Sequence, residues 1–260
     1  MWPHTDEDWR AMLHAGRVVG HRLDSGEVVS TAAIFEYGPG LASIGMVVVK
    51  PAWRGHGLAG ALMTHLLASR AVPPPPTILI ATQQGFSLYR RLGFATVAHI
   101  GRLTRTADHA PDPRQTRRGL AALCDSDMAA VRALDAEAVG ASRARMLDAR
   151  RSYARGASVL RGDDGSVAGF ALATPQRDVL VIGPVVAPDA DAAAALIEHV
   201  AAGHAGPVRV HVPTTQTVLL ARLASAGFDS GTESPLMIHG DAALPGDRGR
   251  LFAVATQGFC

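Results

Sequence analysis

One short pattern occurs twice in this chain. "IGMVVVKP" (44–51) resembles "IGPVVAP" (182–188), and beyond both the correspondence settles at one constant offset. That offset pairs Leu62 with Leu196, His65 with His199, Thr82 with Gln216, and the Gly-Phe pair at Gly93 with the one at Gly227. An offset held across several successive elements marks a duplicated supersecondary unit. The 260 residues therefore read as two similar halves. Between them "TRTADHAPDPRQTRR" has no apolar periodicity, two prolines and many charges, which is linker composition. The expected division is a first domain over 1–104, a linker over 105–118 and a second domain over 119–260.

Within the first half the pattern is mixed α/β. "DEDWRAMLHAG" reads as a helix with Asp6 as N-cap, an apolar stripe of Trp9, Met12 and Leu13, and Gly16 as its stop. "EVVSTAAIFEY" and "LASIGMVVV" read as strands around the turn "GPG". A helix is expected from about Leu58 to Arg70, ended by the four prolines Pro73 to Pro76. "TILIAT" then suits a buried strand. "FSLYRRLGF" suits a short helix with Phe86, Tyr89 and Leu92 on one face, Gly93 just past its end and Phe94 packing behind it.

"KPAWRGHGLAG" (50–60) joins the second of these strands to its helix. The first-turn N–H groups of a helix lack intrahelical partners, and the dipole puts partial positive charge there. Glycines let an anion approach that backbone, so Arg54 to Ala59 could cradle a pyrophosphate, with Arg54 adding a charge. A plain tight turn is the other reading. It is not a P-loop, since no G-K-[ST] follows, and the dinucleotide-binding fingerprint is not met either, since no acidic residue follows about twenty positions on. The second copy has "DADAAA" at this place, with no glycine or arginine, and Leu223 where the first has Tyr89. It keeps the packing residues and lacks the polar ones.

These two stretches resemble the GNAT superfamily of acetyltransferases. In its cofactor motif, Q/R-x-x-G-x-G/A, the positions are matched by Arg54, Gly57 and Ala59, with V-x-P before them; its second signature, an Asn and then a helix ending in Leu-Gly-Phe, is matched by "FSLYRRLGF" after Thr82, which replaces the Asn. The second half resembles the acetyltransferase-like C-terminal domain of two-domain bacterial GNAT proteins. The resemblance implies tandem α/β domains, each a twisted, splayed mixed β-sheet flanked by helices. It implies acetyl-CoA as cofactor, with pantetheine on the backbone of Val47 and Val49 and the pyrophosphate on the amides of Arg54, Gly55, His56, Gly57, Leu58 and Ala59. By the same resemblance Thr82 would contact the cofactor, and Tyr89 would protonate the departing thiolate, a role suited to a phenol with a pKa near 10. A standard GNAT domain opens with a strand and helix that this chain does not show before "DEDWRAML".

A general base is harder to find, because "LASIGMVVV" carries no carboxylate; Glu36, at the end of the preceding strand, is the nearest candidate. The second half, lacking the glycines, is expected to bind CoA poorly and to shape the acceptor site, with "HVPTTQ" and "SPLMIHG" as cleft loops. The resulting expectation is an N-acetyltransferase in which a primary amine of a small-molecule acceptor attacks the thioester directly; a non-catalytic CoA sensor or scaffold is the alternative. A net charge of +2 without a basic stripe argues against nucleic acid. No apolar run reaches the roughly 18 residues that span a bilayer. Cys124 and Cys260 lack metal spacing, so no metal is expected. The polar N-terminus is no signal peptide, and a cytoplasmic monomer or homodimer is expected.

Overall fold

The computed structural model describes residues 6–106, 118–240, 242–256 and 258; most of the expected linker, 107–117, lies outside the described residues. The first half runs α1 (Asp6–Ala15), β1 (Arg17–Arg22), β2 (Val28–Glu36), β3 (Ala42–Val49), α2 (Leu58–Ala68), β4 (Thr77–Ile80), α3 (Phe86–Arg91) and β5 (Phe94–Arg105). The second half follows with β6 (Leu120–Ala122), α4 (Met128–Val139), α5 (Ala144–Tyr153), β7 (Gly156–Arg161), β8 (Val167–Gln176), β9 (Val179–Val186), α6 (Ala190–Ala201), β10 (Val208–Pro213), α7 (Thr217–Ser225), β11 (Asp229–His239) and β12 (Leu251–Ala253). From β3 to β5 and from β9 to β11 the order strand, helix, strand, helix, strand is the same, as the repeat requires.

Two local readings change. The sequence pattern contained no strand at Arg17–Arg22, yet this segment pairs antiparallel with β2 from Arg17↔Ile34 to Arg22↔Val28. It is a partly polar edge strand interrupted by Gly20, so only its pairing reveals it. In α1, Trp9 and Met12 pack into the core, but Leu13 is 61% exposed and leaves the apolar stripe. Gly93, by contrast, has the left-handed φ of 86° expected of a residue just past a helix.

The halves do not keep a sheet each. All strands among the described residues join one mixed sheet in the order β1-β2-β3-β4-β11-β5-β10-β9-β8-β7-β6, with β12 paired to β9. β5 pairs with β11 on one side and β10 on the other, both from the second half. β11 in turn lies between β4 and β5, antiparallel to each. "SPLMIHG" (234–240), expected as a cleft loop, therefore runs mostly as strand against β4, with Leu236↔Ile80 and His239↔Thr77.

Alternation along the strands divides the core. Ala32 and Ile34 face α2 and α3, with Leu62, Met63 and Leu66. Ala33 and Phe35 point to the other face, into a core shared by Met12 of α1, Met128 and Val131 of α4, and Leu147 of α5. A third cluster holds α6 and α7 against the second-half strands. The end of β5 is anchored by an ion pair: the Arg105 Nη1 donates to both Glu198 carboxylate oxygens at 2.7 and 2.9 Å, and its guanidinium stacks 4.6 Å from the Phe228 ring centroid. Both side chains are buried. This ties the last first-half strand to a second-half helix.

Removing one member of a buried pair strands the other charge and typically costs about 3–5 kcal/mol, whereas replacing both by apolar groups costs much less. Arg105→Met should therefore lower the urea midpoint strongly, and Arg105→Met with Glu198→Leu should recover most of the loss. Equal destabilisation in the single and double variants would mean that the pair is not the anchor.

Candidate active site

β3 and β4 are parallel neighbours, but they pair only at Ala42↔Thr77 and Ser43↔Ile78. Beyond those residues they separate. The cause lies in β3: the β2–β3 register slips between Thr31 and Ala33, and Met46 adopts a φ of 55°. Such a bulge kinks its strand and turns the following residues away from the partner. Thr31 Oγ1 secures it by donating to the Met46 carbonyl at 3.1 Å.

The divergence opens a groove of about 560 Å³. Its floor along β3 is Val47, Val48 and Val49, and its outer end is the turn containing Arg54, Gly55, Gly57, Leu58 and Ala59. Gly55 and Gly57 have φ of 82° and 76°, and a Cβ at either would meet nothing within 4 Å. The backbone conformation therefore demands glycine, and the space beside it is open. Gly57 is the N-cap of α2, with no side-chain cap and no acid in the first turn, so the helix end keeps its positive potential for a ligand. Arg54 lines the groove and donates from Nε to the Val49 carbonyl at 3.3 Å. The His56 ring instead hydrogen-bonds the Arg54 carbonyl at 3.0 Å.

On the facing wall stand Thr82 and Tyr89. Thr82 Oγ1 accepts from the Gly85 amide at 3.2 Å. Gly85 is required by Tyr89, because a Cβ there would lie 2.7 Å from the Tyr89 ring. Burial pushes the Tyr89 phenol up to about 12. It is a protonated donor throughout the neutral range.

Glu36 is not part of this constellation. It pairs opposite Ala42 at the far end of β3, roughly 20 Å from Val49 at the rise of a strand. Its Oε1 accepts from the Ala71 amide at 3.4 Å, and its charge faces Arg70. The strand direction explains this: the groove lies at the carboxyl end of β3, and the β2–β3 hairpin puts Glu36 at the opposite end. Sequence reasoning also missed Trp53, Gln84, Leu88 and Arg91, which line the groove. Leu88 and Arg91 are three apart on α3, and Gln84 lies in the turn before it, a face that the signal of Tyr89 overshadowed.

The second half explains what the groove accommodates. β9 and β10 pair from Val208↔Leu180 to Val210↔Ile182 and then separate in the same way. That opening is filled by the chain itself. β12 pairs antiparallel with β9, Leu251↔Val186 and Ala253↔Val185, and on the other side the Val254 amide donates to the His211 carbonyl at 2.9 Å. Gln216, the counterpart of Thr82, donates from Nε2 to the Gly249 and Leu251 carbonyls at 2.9 and 3.3 Å. At the start of α6 the Asp189 carboxylate accepts from the Ala192 amide at 2.7 Å, a built-in anion where α2 has none. Leu223, in place of Tyr89, is buried in the core. An amide-bearing extended chain and an anion thus occupy the second cleft, and the equivalent groups of the first cleft are left open.

A splayed pair of parallel strands, an uncapped glycine turn and a buried phenol meet in one groove, as the resemblance to the GNAT acetyltransferases implies. The chain belongs to that family: acetyltransferase (GNAT) domain models match residues 16–96 and 131–253. It is similar to the uncharacterized N-acetyltransferase YitH of Bacillus subtilis (strain 168), 29% identical over 257 residues, which are 98% of this chain and 90% of that protein. A candidate acetyltransferase from Pyrococcus horikoshii superposes with a TM-score of 0.80 at 21% identity, over 98% of this chain and 84% of the other. A tandem GNAT protein from the clavulanic acid biosynthesis pathway does so with a TM-score of 0.62 at 17% identity, over 88% and 85% of the two chains. Among the described residues no helix is long and apolar enough to cross a membrane.

The raised phenol has a consequence for stability. Its folded pKa of about 12 exceeds the unfolded value of about 10, so the folded state holds the proton longer. The contribution of Tyr89 to stability is whole below pH 10 and is lost between pH 10 and 12, by about 1.4 kcal/mol per pH unit for one proton. Tyr89→Phe should flatten that decline in chemical denaturation measured across this range. An unchanged slope would show that Tyr89 is not buried as described.

Proposed function

We propose that the first half binds acetyl-CoA in the β3–β4 groove and transfers the acetyl group to a primary amine of a small-molecule acceptor. The observation that carries this reading is the self-filled second cleft. There a peptide strand lies along Val185 to Ala187, receives a side-chain amide from Gln216, and is accompanied by a carboxylate at the helix start. The corresponding first-half groups are the backbones of Val47 and Val49, the Thr82 hydroxyl, and the amides from Arg54 to Ala59, including those of Gly55, His56, Gly57 and Leu58. They suit a pantetheine arm with amides of its own and a pyrophosphate at its end.

When bound, acetyl-CoA supplies a thioester that a neutral amine attacks directly. The chain then holds the two reactants together, which converts a bimolecular encounter into a positioned one. Val47 and Val49 fix the direction of the bound arm by strand-type hydrogen bonds. Arg54, with Arg91 on the facing helix, adds positive charge near the phosphates. Tyr89 keeps its proton in the neutral range and delivers it to the departing sulfur. With Glu36 at the far end of the strand, water serves to carry away the amine proton.

Free-thiol release from acetyl-CoA with a panel of primary amines tests the activity. Tyr89→Phe should lower kcat by about 10²–10⁴-fold while leaving KM for acetyl-CoA within a few-fold. In calorimetry, Gly57→Asp should abolish CoA binding, because it places a negative side chain at a left-handed position beside the phosphates. Asp191→Asn at the second turn should leave CoA affinity unaltered. Tight CoA binding without turnover on any amine, unaffected by Tyr89→Phe, would overturn the catalytic reading in favour of a sensor.

A further inference from the structure

The segment that follows β12 joins the two clefts. Val254 leaves the second cleft with its amide on the His211 carbonyl. Val254 and Ala255 then pack in the shared core with Met46 of β3 and Ile80 of β4, both from the first half. Thr256 is buried, and its Oγ1 accepts from the Gly258 amide at 3.1 Å. Gly258 arrives against β3. Its carbonyl oxygen takes the place that a Cβ on Gly45 would need, and a Cβ on Gly258 itself would stand 3.4 Å from Met46 Sδ.

Gly45 and Met46 immediately precede Val47, at the inner end of the groove, opposite the glycine turn at its outer end. We propose that Gly258 closes this inner end, so that the second half supplies the wall limiting the acyl group and the attacking amine to small ones. The inference rests on the reading that CoA lies in the groove with its phosphates on the glycine turn. Running from there along Val49 to Val47, the arm brings its acyl end to Met46, where Gly258 is the next backbone met. Gly45 has no side chain because Gly258 occupies that space. Gly258 has none, and what a side chain there would reduce is room beside Met46, not the phosphate or pantetheine contacts.

The test compares dissociation constants of CoA, acetyl-CoA and butyryl-CoA, measured by calorimetry, for the unaltered chain, Gly258→Ala and Gly258→Leu. CoA should bind all three within threefold. Gly258→Leu should weaken acetyl-CoA several-fold and butyryl-CoA at least tenfold, with Gly258→Ala between it and the unaltered chain. A common shift in all three ligands, or no shift in any, overturns the proposal. Should the Leu variant fail to fold, the same ratios read in the Ala variant decide. Failure of the unaltered chain to bind CoA would instead overturn the cofactor reading itself, so the two failures are distinguishable.

Discussion

The structure depends on the antiparallel ladder between β5 and β11. Each is the last long strand of its half, and each is embedded among strands of the other: β5 beside β10, β11 beside β4. Neither half can complete its sheet alone. Backbone N–H and C=O groups buried in a sheet must be paired, so separating the halves would expose three ladders at once, β4–β11, β11–β5 and β5–β10. The Arg105–Glu198 pair and the shared core on the α1–α4–α5 face fasten the same junction from both sides of the sheet. This rigidity suits a site whose working parts are backbone groups and must be held in register.

Within that frame one architecture is used in two ways. In both halves two parallel strands separate after a short paired stretch, and a helix begins beside the opening. Separation leaves strand edges that need hydrogen-bond partners. The second half meets the need with its own β12 and with Asp189, so its cleft is a folded part of the core. The first half keeps Val47 to Val49 and the glycine turn open beside the buried phenol of Tyr89. One copy thus keeps an open groove, and the other lends strands and the segment after β12 to it.

Much of this was legible in the residues. The constant offset disclosed the duplication, because packing residues recur where the same elements recur. Gly55 and Gly57 disclosed the turn, since their left-handed φ excludes most other residues. Tyr89 was legible through its spacing from Gly93. Glu36 misled, because strand direction, not distance along the chain, decides which end of a hairpin meets the groove. "SPLMIHG" looked like a loop of its own half, and its alternation with β4 emerges only across the junction. Leu88 and Arg91 share a face of α3, with Gln84 in the turn before it, and the importance of that face depends on what lies opposite.

The sequence by itself determined the local alphabet of the protein: which segments are strands or helices, where glycine is obligatory, and which copy retains polar groups. These follow from short-range sterics, periodicity and hydrogen-bonding capacity. Only the tertiary structure decided that the two sheets are one, that β12 fills the second cleft, and that Gly258 stands against Gly45 and Met46. Such choices are made between strand edges far apart in the chain, where many pairings satisfy the same local pattern and only the closing of all buried ladders together selects one.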